Sequence, residues 1–479
     1  MTASLGSLLL LLALVVRLPL LTQSLWYDEV WRTRVVLSGE RAWEILTRDV
    51  HAPLYNAFMA LWIRVAGDSE LSIRIPSLLA GLGTIALVHA WCRRRLGIGA
   101  ARRIAAWLLV TPFLVWWSTQ AKNTAFTLIF TTWALIALDT LVRERTGRAV
   151  LLGAAAGALA IWTDLQSLLA LIPAWGAGGV VLLRHGHSGH RLSRVGPLVL
   201  SATGTLLLAA PLLILKATQI EHLTRDYLGY LGPLQILRLL AVHLTTGEAL
   251  AIAEPWKLVA LLVLTPAAGL SLAWGVRSLR RAHAAWMPLA ALAGPILLLW
   301  VVSEALVASG SQVRVYQPRN LVVILPWFAV LLLAGDGMRA RVVAWLWVML
   351  AAGSSVLMIT LRRDAVTVDV PNPAWREFAR FVLDSPGTRR RVGVVSPTPL
   401  LPLRYYAPAL DSDVIPPGVD PNREALRLLN ERGWDQVWVL SVDHWLPIAP
   451  HEAEAHGPIA RWRGLRAWRH DRTGLDADY

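Results

Sequence analysis

Apolar runs of about 20 residues follow one another through most of this chain, and a run of that length matches the thickness of a bilayer core. They fall near residues 5–23, 71–92, 104–119, 124–142, 149–164, 166–183, 196–215, 257–275, 286–307, 319–335 and 342–361. About eleven spanning helices are therefore predicted. Pro or Gly interrupts several of them, which a helix bundle tolerates because neighbouring helices satisfy the freed backbone groups. Charged residues make up only 16% of the chain, where an ordinary soluble domain carries about a quarter, and the mean hydropathy is +0.50. The first run lacks a basic leader and passes through Arg17-Leu18-Pro19 without a small-residue cleavage site, so it reads as a retained helix, not a signal peptide.

A net charge of +14 raises the question of a nucleic-acid partner, but the arginines do not form a continuous face. They cluster at Arg93-Arg94-Arg95 with Arg102-Arg103, from Arg143 to Arg148, Arg184 to Arg194 and Arg277 to Arg281, and at Arg339 with Arg341. Each cluster occupies an alternate loop between apolar runs, which is the pattern of membrane topology and excludes a nucleic-acid reading. If those loops face the cytoplasm, the amino terminus is inside, while residues 24–70 and everything after 361 lie outside, as an odd number of spans requires. The chain is then a multi-pass protein of the inner (cytoplasmic) membrane, and its preference for arginine over lysine is that of a GC-rich bacterial genome. The single cysteine, Cys92, excludes an intrachain disulfide and is read as packing.

Against this apolar background, Leu25-Trp26-Tyr27-Asp28-Glu29-Val30-Trp31 places two adjacent carboxylates at the outer edge of the first span. Carboxylates at a membrane edge lose hydration and tend to be paired, shifted in pKa or functional. A solvated pair ending a helix is the plain alternative. Farther along the same loop come His51-Ala52-Pro53-Leu54-Tyr55 and Gly67-Asp68-Ser69-Glu70-Leu71-Ser72-Ile73-Arg74-Ile75-Pro76-Ser77. Between them, Leu54, Phe58, Leu61, Trp62 and Val65 recur at helical spacing, which predicts an amphipathic interfacial helix over 53–65, too short to span, with half of a broken membrane helix as the alternative. Residues 40–48 are also helix-compatible.

These three segments, in this order, resemble the polytopic GT-C glycosyltransferases, in the branch of the protein O-mannosyltransferases and lipid A aminoarabinose transferases. Members carry an Asp-Glu pair after the first span, a His-Pro-Pro-Leu-Tyr-like segment, and a Gly-Asp-Ser-Glu-x-x-x-Arg-x-Pro-Ser-like entry to the next. The resemblance is clear over roughly the first third of the chain and looser beyond it. It implies that Asp28 is the catalytic carboxylate, with Glu29 beside it orienting the acceptor or a cation, and that His51 and Tyr55 belong to the substrate-binding surface.

Two turns on the outer side add candidates. In Ser118-Thr119-Gln120-Ala121-Lys122-Asn123-Thr124, Gln120 stands where relatives often have Glu and Lys122 where they have Arg. Lys122 thus becomes a candidate for the donor phosphate, a snorkelling lysine being the alternative, and Gln120 a candidate substrate contact. Asp164, in the turn where relatives often have Thr-His-Tyr, is either a solvated turn residue or a sugar contact. Arg319, in Gln317-Pro318-Arg319-Asn320, matches the arginine with which relatives open a late span, while Asn320 departs from their tyrosine. Its planar fork suits phosphate oxygens, though interfacial arginines also bind lipid headgroups. The outer loop 216–256 carries His222, Arg225, Asp226 and His243 and is long enough to act as a lid.

After the linker Asp369-Val370-Pro371-Asn372-Pro373 the pattern becomes that of a soluble domain. Strands are predicted at 392–395 and 436–440 and helices at 374–384 and 422–432, with no Gly-rich phosphate loop after either strand. The expected organisation is a GT-C-like, mostly helical transmembrane bundle over 1–361 with an extracytoplasmic α/β domain over 362–479.

The function expected is transfer of a sugar from a polyprenyl-phosphate donor to an acceptor hydroxyl or phosphate on a glycan, lipid or protein, with inversion. The alternative is a lipid or sugar transporter or flippase without transferase activity. It is disfavoured because internal repeats are absent and the acids gather at one face instead of the midplane. Asp28 and Glu29 alone supply too few oxygens for a dedicated cation cage, so no obligatory metal is expected, although Mg or Mn stays compatible with the pair.

Overall fold

The computed structural model describes residues 2–37, 53–184, 191–218, 244–247, 254–308, 318–360, 374–384, 391–396, 400–416, 419–442, 460–462 and 465–471. In chain order the helices begin with α1 (Thr2–Leu21), α2 (Tyr27–Leu37), α3 (Pro53–Ala66), α4 (Glu70–Leu96), α5 (Ile98–Val110) and α6 (Pro112–Trp117). They continue with α7 (Thr124–Glu144), α8 (Gly147–Thr163), α9 (Ser167–Arg184) and α10 (Arg191–Ala217), then α11 (Glu254–Arg281) and α12 (Trp286–Ala308). After a 3-10 turn at Pro318–Ile324 come α13 (Leu325–Leu333), α14 (Met338–Thr360) and α15 (Trp375–Asp384). The remainder alternates β1 (Val392–Ser396), α16 (Leu401–Tyr406), β2 (Asp411–Val414), α17 (Pro421–Glu431) and β3 (Gln436–Val442), and ends with β4 (Ala460–Trp462) and β5 (Leu465–Asp471).

These elements form two compact units, Met1–Leu21 with Gly39–Leu361, and Thr22–Ser38 with Arg362–Tyr479. Among the described residues of the first unit, seven helices, within α4, α7, α9, α10, α11, α12 and α14, are long and apolar enough to cross a membrane. The other four expected runs take different forms. The first is α1, of 20 residues. The run at 104–119 breaks at Thr111-Pro112 into α5 and α6, because proline cannot donate to the preceding turn. The run at 149–164 becomes the 17-residue α8. That at 319–335 starts as a 3-10 turn and ends as the nine-residue α13, all of it buried. A helix that is apolar all round belongs in an interior, and α13 has that place.

Close approach between helices depends on small residues, as expected where lipid offers no hydrophobic drive for association. Gly153 and Gly157 of α8 face Ser201 and Thr205 of α10, and Gly204 of α10 faces Ala154. Gly275 of α11 lies directly against the backbone carbonyl of Leu331 in α13.

Hydrogen bonds sort the helix ends of this unit into two sets. At one, Asp139 of α7 takes bonds from Trp91, Arg95, Arg143 and Trp286, while Arg103 reaches the carbonyls of Leu333 and Gly335. At the other, Arg74 donates to the terminal carbonyls of α1 at Leu20 and Leu21, Ser77 Oγ to the Lys122 carbonyl, and Asn123 Nδ2 to Asp164. The arginine-rich loops thus collect at one end and the motif-bearing turns at the other, as alternation predicts.

The second unit is built on a five-stranded sheet in the order β2-β1-β3-β5-β4, with β1 parallel to both β2 and β3, and β5 antiparallel to β3 and β4. Val394 pairs with Trp438 and Val439 with Trp468. One face is covered by Trp375, Phe378 and Val382 of α15 with Leu403 of α16, and the other by Ala425 and Leu429 of α17 with Trp434. The helices and strands at 375–384, 392–396, 421–431 and 436–442 lie where the sequence pattern puts them. Residues 22–38 also belong to this unit, with α2 packed on α16.

Candidate active site

Glu29 and Asp28 are neighbours in the first turn of α2 but have different surroundings. Trp26 sits at the cap position before α2, and Glu29, three residues on, turns its Oε2 back to accept the Trp26 N–H at 3.2 Å. This is one half of a capping box, in which a carboxylate satisfies a backbone donor the helix start leaves over. The Glu29 side chain is fully enclosed, and its backbone carbonyl accepts the Thr33 hydroxyl at 2.8 Å. Asp28 is only half-buried. Both acids lie in the first turn of α2, at the positive end of the helix dipole.

The chain leading into this turn is tied to the α/β unit. The Leu25 N–H donates to the Tyr406 hydroxyl at 2.6 Å, and Ser24 Oγ donates to Glu377 Oε2 at 2.7 Å. Arg376 donates to the Thr22 carbonyl at 3.3 Å and to Glu377 Oε1 at 2.9 Å. Partial burial alone pushes the Glu377 carboxyl up, but the bonds from Ser24 and Arg376 and the Arg376 charge outweigh it, and the net shift is below the ordinary carboxylate range.

The remaining described candidates stand in the first unit. Lys122 is 8% exposed, its ammonium 5.7 Å from the centroid of the Trp117 ring, a distance at which the ring quadrupole attracts a cation. Its backbone is pinned on both sides, by its own N–H to the Gln120 carbonyl and by the Ser77 hydroxyl. Gln120 is 1% exposed, and its Nε2 has no hydrogen-bond partner among the described residues. Asp164 caps α8. Its Oδ2 accepts Asn123 Nδ2 at 2.8 Å and its Oδ1 the Gln166 N–H at 2.9 Å, so it links the two outer turns. Tyr55 is fully buried on α3, edge-on to Phe126 at 5.1 Å. Arg319 stands at the start of the 3-10 turn. His51 and most of the loop 216–256 lie outside the described residues.

The helix expected at 53–65 is α3, which buries Tyr55, Asn56, Met59 and Ile63 and exposes Leu61 and Val65. The Gly67–Ser77 motif is a junction. Gly67 takes a left-handed φ of 79°, and Ser69 accepts the Ser72 N–H to cap α4. Ser72 Oγ closes on the carbonyls of Ala66 and Gly67, and Arg74 seals the end of α1. Pattern reasoning missed two buried charges in the spans. Arg17 donates to Ser118 Oγ and to the carbonyls of Ala13 and Leu109, and Asp139 gathers its four donors. A lone ion in an apolar run was the signal for each, because such a group needs internal partners. Among the described residues, no three His, Cys, Asp or Glu side chains converge as a metal site.

Comparison with known proteins gives a consistent picture. Residues 50–215 match the family model described as dolichyl-phosphate-mannose-protein mannosyltransferase. No curated protein sequence matches the chain. Among solved structures, ArnT from Cupriavidus metallidurans in the apo state aligns over 97% of this chain and 98% of its own, at 14% identity and a TM-score of 0.57. The same protein bound to undecaprenyl phosphate aligns over 98% of both chains, at 13% identity and a TM-score of 0.54. Over almost its whole length the chain has the fold of ArnT, and residues 50–215 match the mannosyltransferase family model.

Proposed function

We propose that the protein is a membrane glycosyltransferase that takes a sugar from a polyprenyl-phosphate carrier at the outer face of the cytoplasmic membrane and passes it to an acceptor hydroxyl or phosphate. One observation carries this reading: the chain shares its fold, nearly end to end, with a protein solved in complex with undecaprenyl phosphate. The unlike surroundings of Asp28 and Glu29 support a division of labour. Glu29, enclosed and capping α2, holds the turn in place. Asp28, half-exposed beside it, is the base that takes the acceptor proton, a role contributing about 10²–10⁴-fold.

As the acceptor oxygen bonds to the anomeric carbon, the bond from that carbon to the carrier phosphate breaks, and direct displacement inverts the configuration. Negative charge builds on the departing phosphate, where Lys122 and Arg319 are proposed to meet it. Tyr55, Gln120 and Asp164, together with His51, are assigned to the walls of the substrate site. The buried amide nitrogen of Gln120, which has no partner among the described residues, is the strongest of these.

Transfer of radiolabel from a synthetic polyprenyl-phosphate sugar by the purified protein tests the proposal. Label should reach an envelope acceptor fraction with release of polyprenyl phosphate. Movement of the intact labelled donor across a vesicle bilayer without release would sink it.

A further inference from the structure

The arginine-rich end of the first unit holds a cavity of about 480 Å³, far in sequence from the residues assigned to catalysis. Four basic residues line it, Arg143 and Arg145 at the end of α7 and Arg280 and His283 at the end of α11. No acid does. The carboxylate behind them, Asp139, is already shared between Arg95 and Arg143. Arg143 also donates to the His283 carbonyl at 2.8 Å, which ties the two helix ends together. The side chains of Arg145 and Arg280 make no hydrogen bond or ion pair with any described residue, so the cavity carries positive charge in excess of what its own structure consumes. Part of that surplus offsets the negative ends of α7, α9 and α11; two unpaired guanidinium groups exceed it.

Backbone conformation supports the same conclusion independently. Among the described residues, the non-glycine residues with positive φ are Arg145, at 55°, and His283, at 50°. Both line this cavity. Glycine would occupy those positions without the Cβ penalty, so the strain accompanies side chains that face the cavity, and strain of this kind gathers at ligand sites. The rest of the lining is apolar, with Val142, Val181, Leu182 and Ala285 beside the Trp286 ring, which is fixed by its bond to Asp139.

We infer that this cavity is a binding site for an anionic glycerophospholipid, its phosphate on Arg145 and Arg280 and an acyl chain along Val142, Val181 and Leu182. Basic pockets between spanning helices take such headgroups, and the excess of arginine predicts that this end faces the cytoplasmic leaflet. The apolar wall favours a lipid over a free phosphate, which would leave that surface wet. The inference stands apart from the proposed transferase site and does not depend on it.

Native mass spectrometry of the full-length protein in neutral detergent, with phosphatidylglycerol or phosphatidylcholine added, tests the inference. Phosphatidylglycerol should be retained by the wild type and lost by about tenfold or more in the double variant Arg145→Gly/Arg280→Ala, with phosphatidylcholine retention equal in both. Arg145→Gly removes a cation while relieving the left-handed backbone, so the protein should stay folded. If the double variant loses its thermal transition, the comparison is read from Arg145→Gly alone. Equal retention of phosphatidylglycerol by wild type and variant overturns the site. Displacement of the lipid by an equal concentration of glycerol phosphate overturns the lipid assignment in favour of a soluble anion.

Discussion

At the scale of single residues, the unlike burial of Asp28 and Glu29 separates two roles that adjacency in sequence leaves merged. Asp28→Asn keeps the side-chain shape and removes the proposed base. Turnover should fall by about 10² or more, with expression and donor binding close to wild type. In Glu29→Gln the amide oxygen can still accept the Trp26 N–H, so the α2 cap survives and the loss of rate should be smaller. Glu29→Ala abolishes the cap, and a shift in thermal stability corresponding to about 1 kcal/mol is expected. Steady-state kinetics beside thermal unfolding distinguish these outcomes, and near-normal turnover in a folded Asp28→Asn protein would remove the mechanism. Lys122→Ala and Arg319→Ala should raise KM for the lipid donor more than they lower stability, because their charge is proposed to meet the donor phosphate. If both variants use the donor like wild type, the phosphate is met elsewhere.

Among elements, two kinds of contact deserve separate tests. A methyl group on Gly275 would run into the Leu331 carbonyl, which is backbone and cannot turn aside, whereas one on Gly153 would meet the Ser201 hydroxyl, which can rotate. Gly275→Ala should therefore cost roughly 1–3 kcal/mol by overpacking, with Gly153→Ala distinctly milder, as read from thermal unfolding in detergent. Equal losses would mean that α8 and α10 are no freer to adjust than α11 and α13. The other contact is titratable. Because the Glu377 carboxyl is held below its ordinary value in the folded unit, its contribution is present above the unfolded value and is lost as pH falls through the folded one. Acidification below the ordinary carboxylate range should thus loosen the segment that Ser24 anchors. Hydrogen exchange of residues 22–33, corrected for intrinsic rates, should show protection declining there in the wild type and a flat profile in Glu377→Gln. Matching profiles would exclude Glu377 as the group responsible.

For the whole molecule, what could be read from sequence follows the range of the interactions concerned. Apolar runs and the α/β alternation after residue 373 are local patterns, and seven of the expected runs, the strands β1 and β3 and the helices α15 and α17 stand where those patterns put them. Breaks within runs were partly visible, since Pro112 marks the division of α5 from α6, and the unbroken apolarity of 325–333 fits the buried α13. Residues 22–38 were not legible as part of the carboxyl-terminal unit, because the bond from Ser24 to Glu377 joins positions 353 apart and leaves no mark in any window of sequence. Nor did a local pattern bring Trp91, Arg95, Arg143 and Trp286 onto Asp139. The gathering of arginine-rich loops at one end of the first unit gives the remaining prediction, which concerns sidedness. Retaining positive loops on the cytoplasmic side is favoured during insertion, so that end should face the cytoplasm and the α/β unit the outside. Cysteines placed at the exposed positions Thr146 and Asp384 read this directly, since native Cys92 is buried and contributes little background. In intact cells a membrane-impermeant maleimide should label Asp384→Cys and leave Thr146→Cys unmodified until the membrane is opened. Labelling of both from the same side would overturn the topology, and with it the placement of Asp28 on the face where a lipid-linked sugar is proposed to be used.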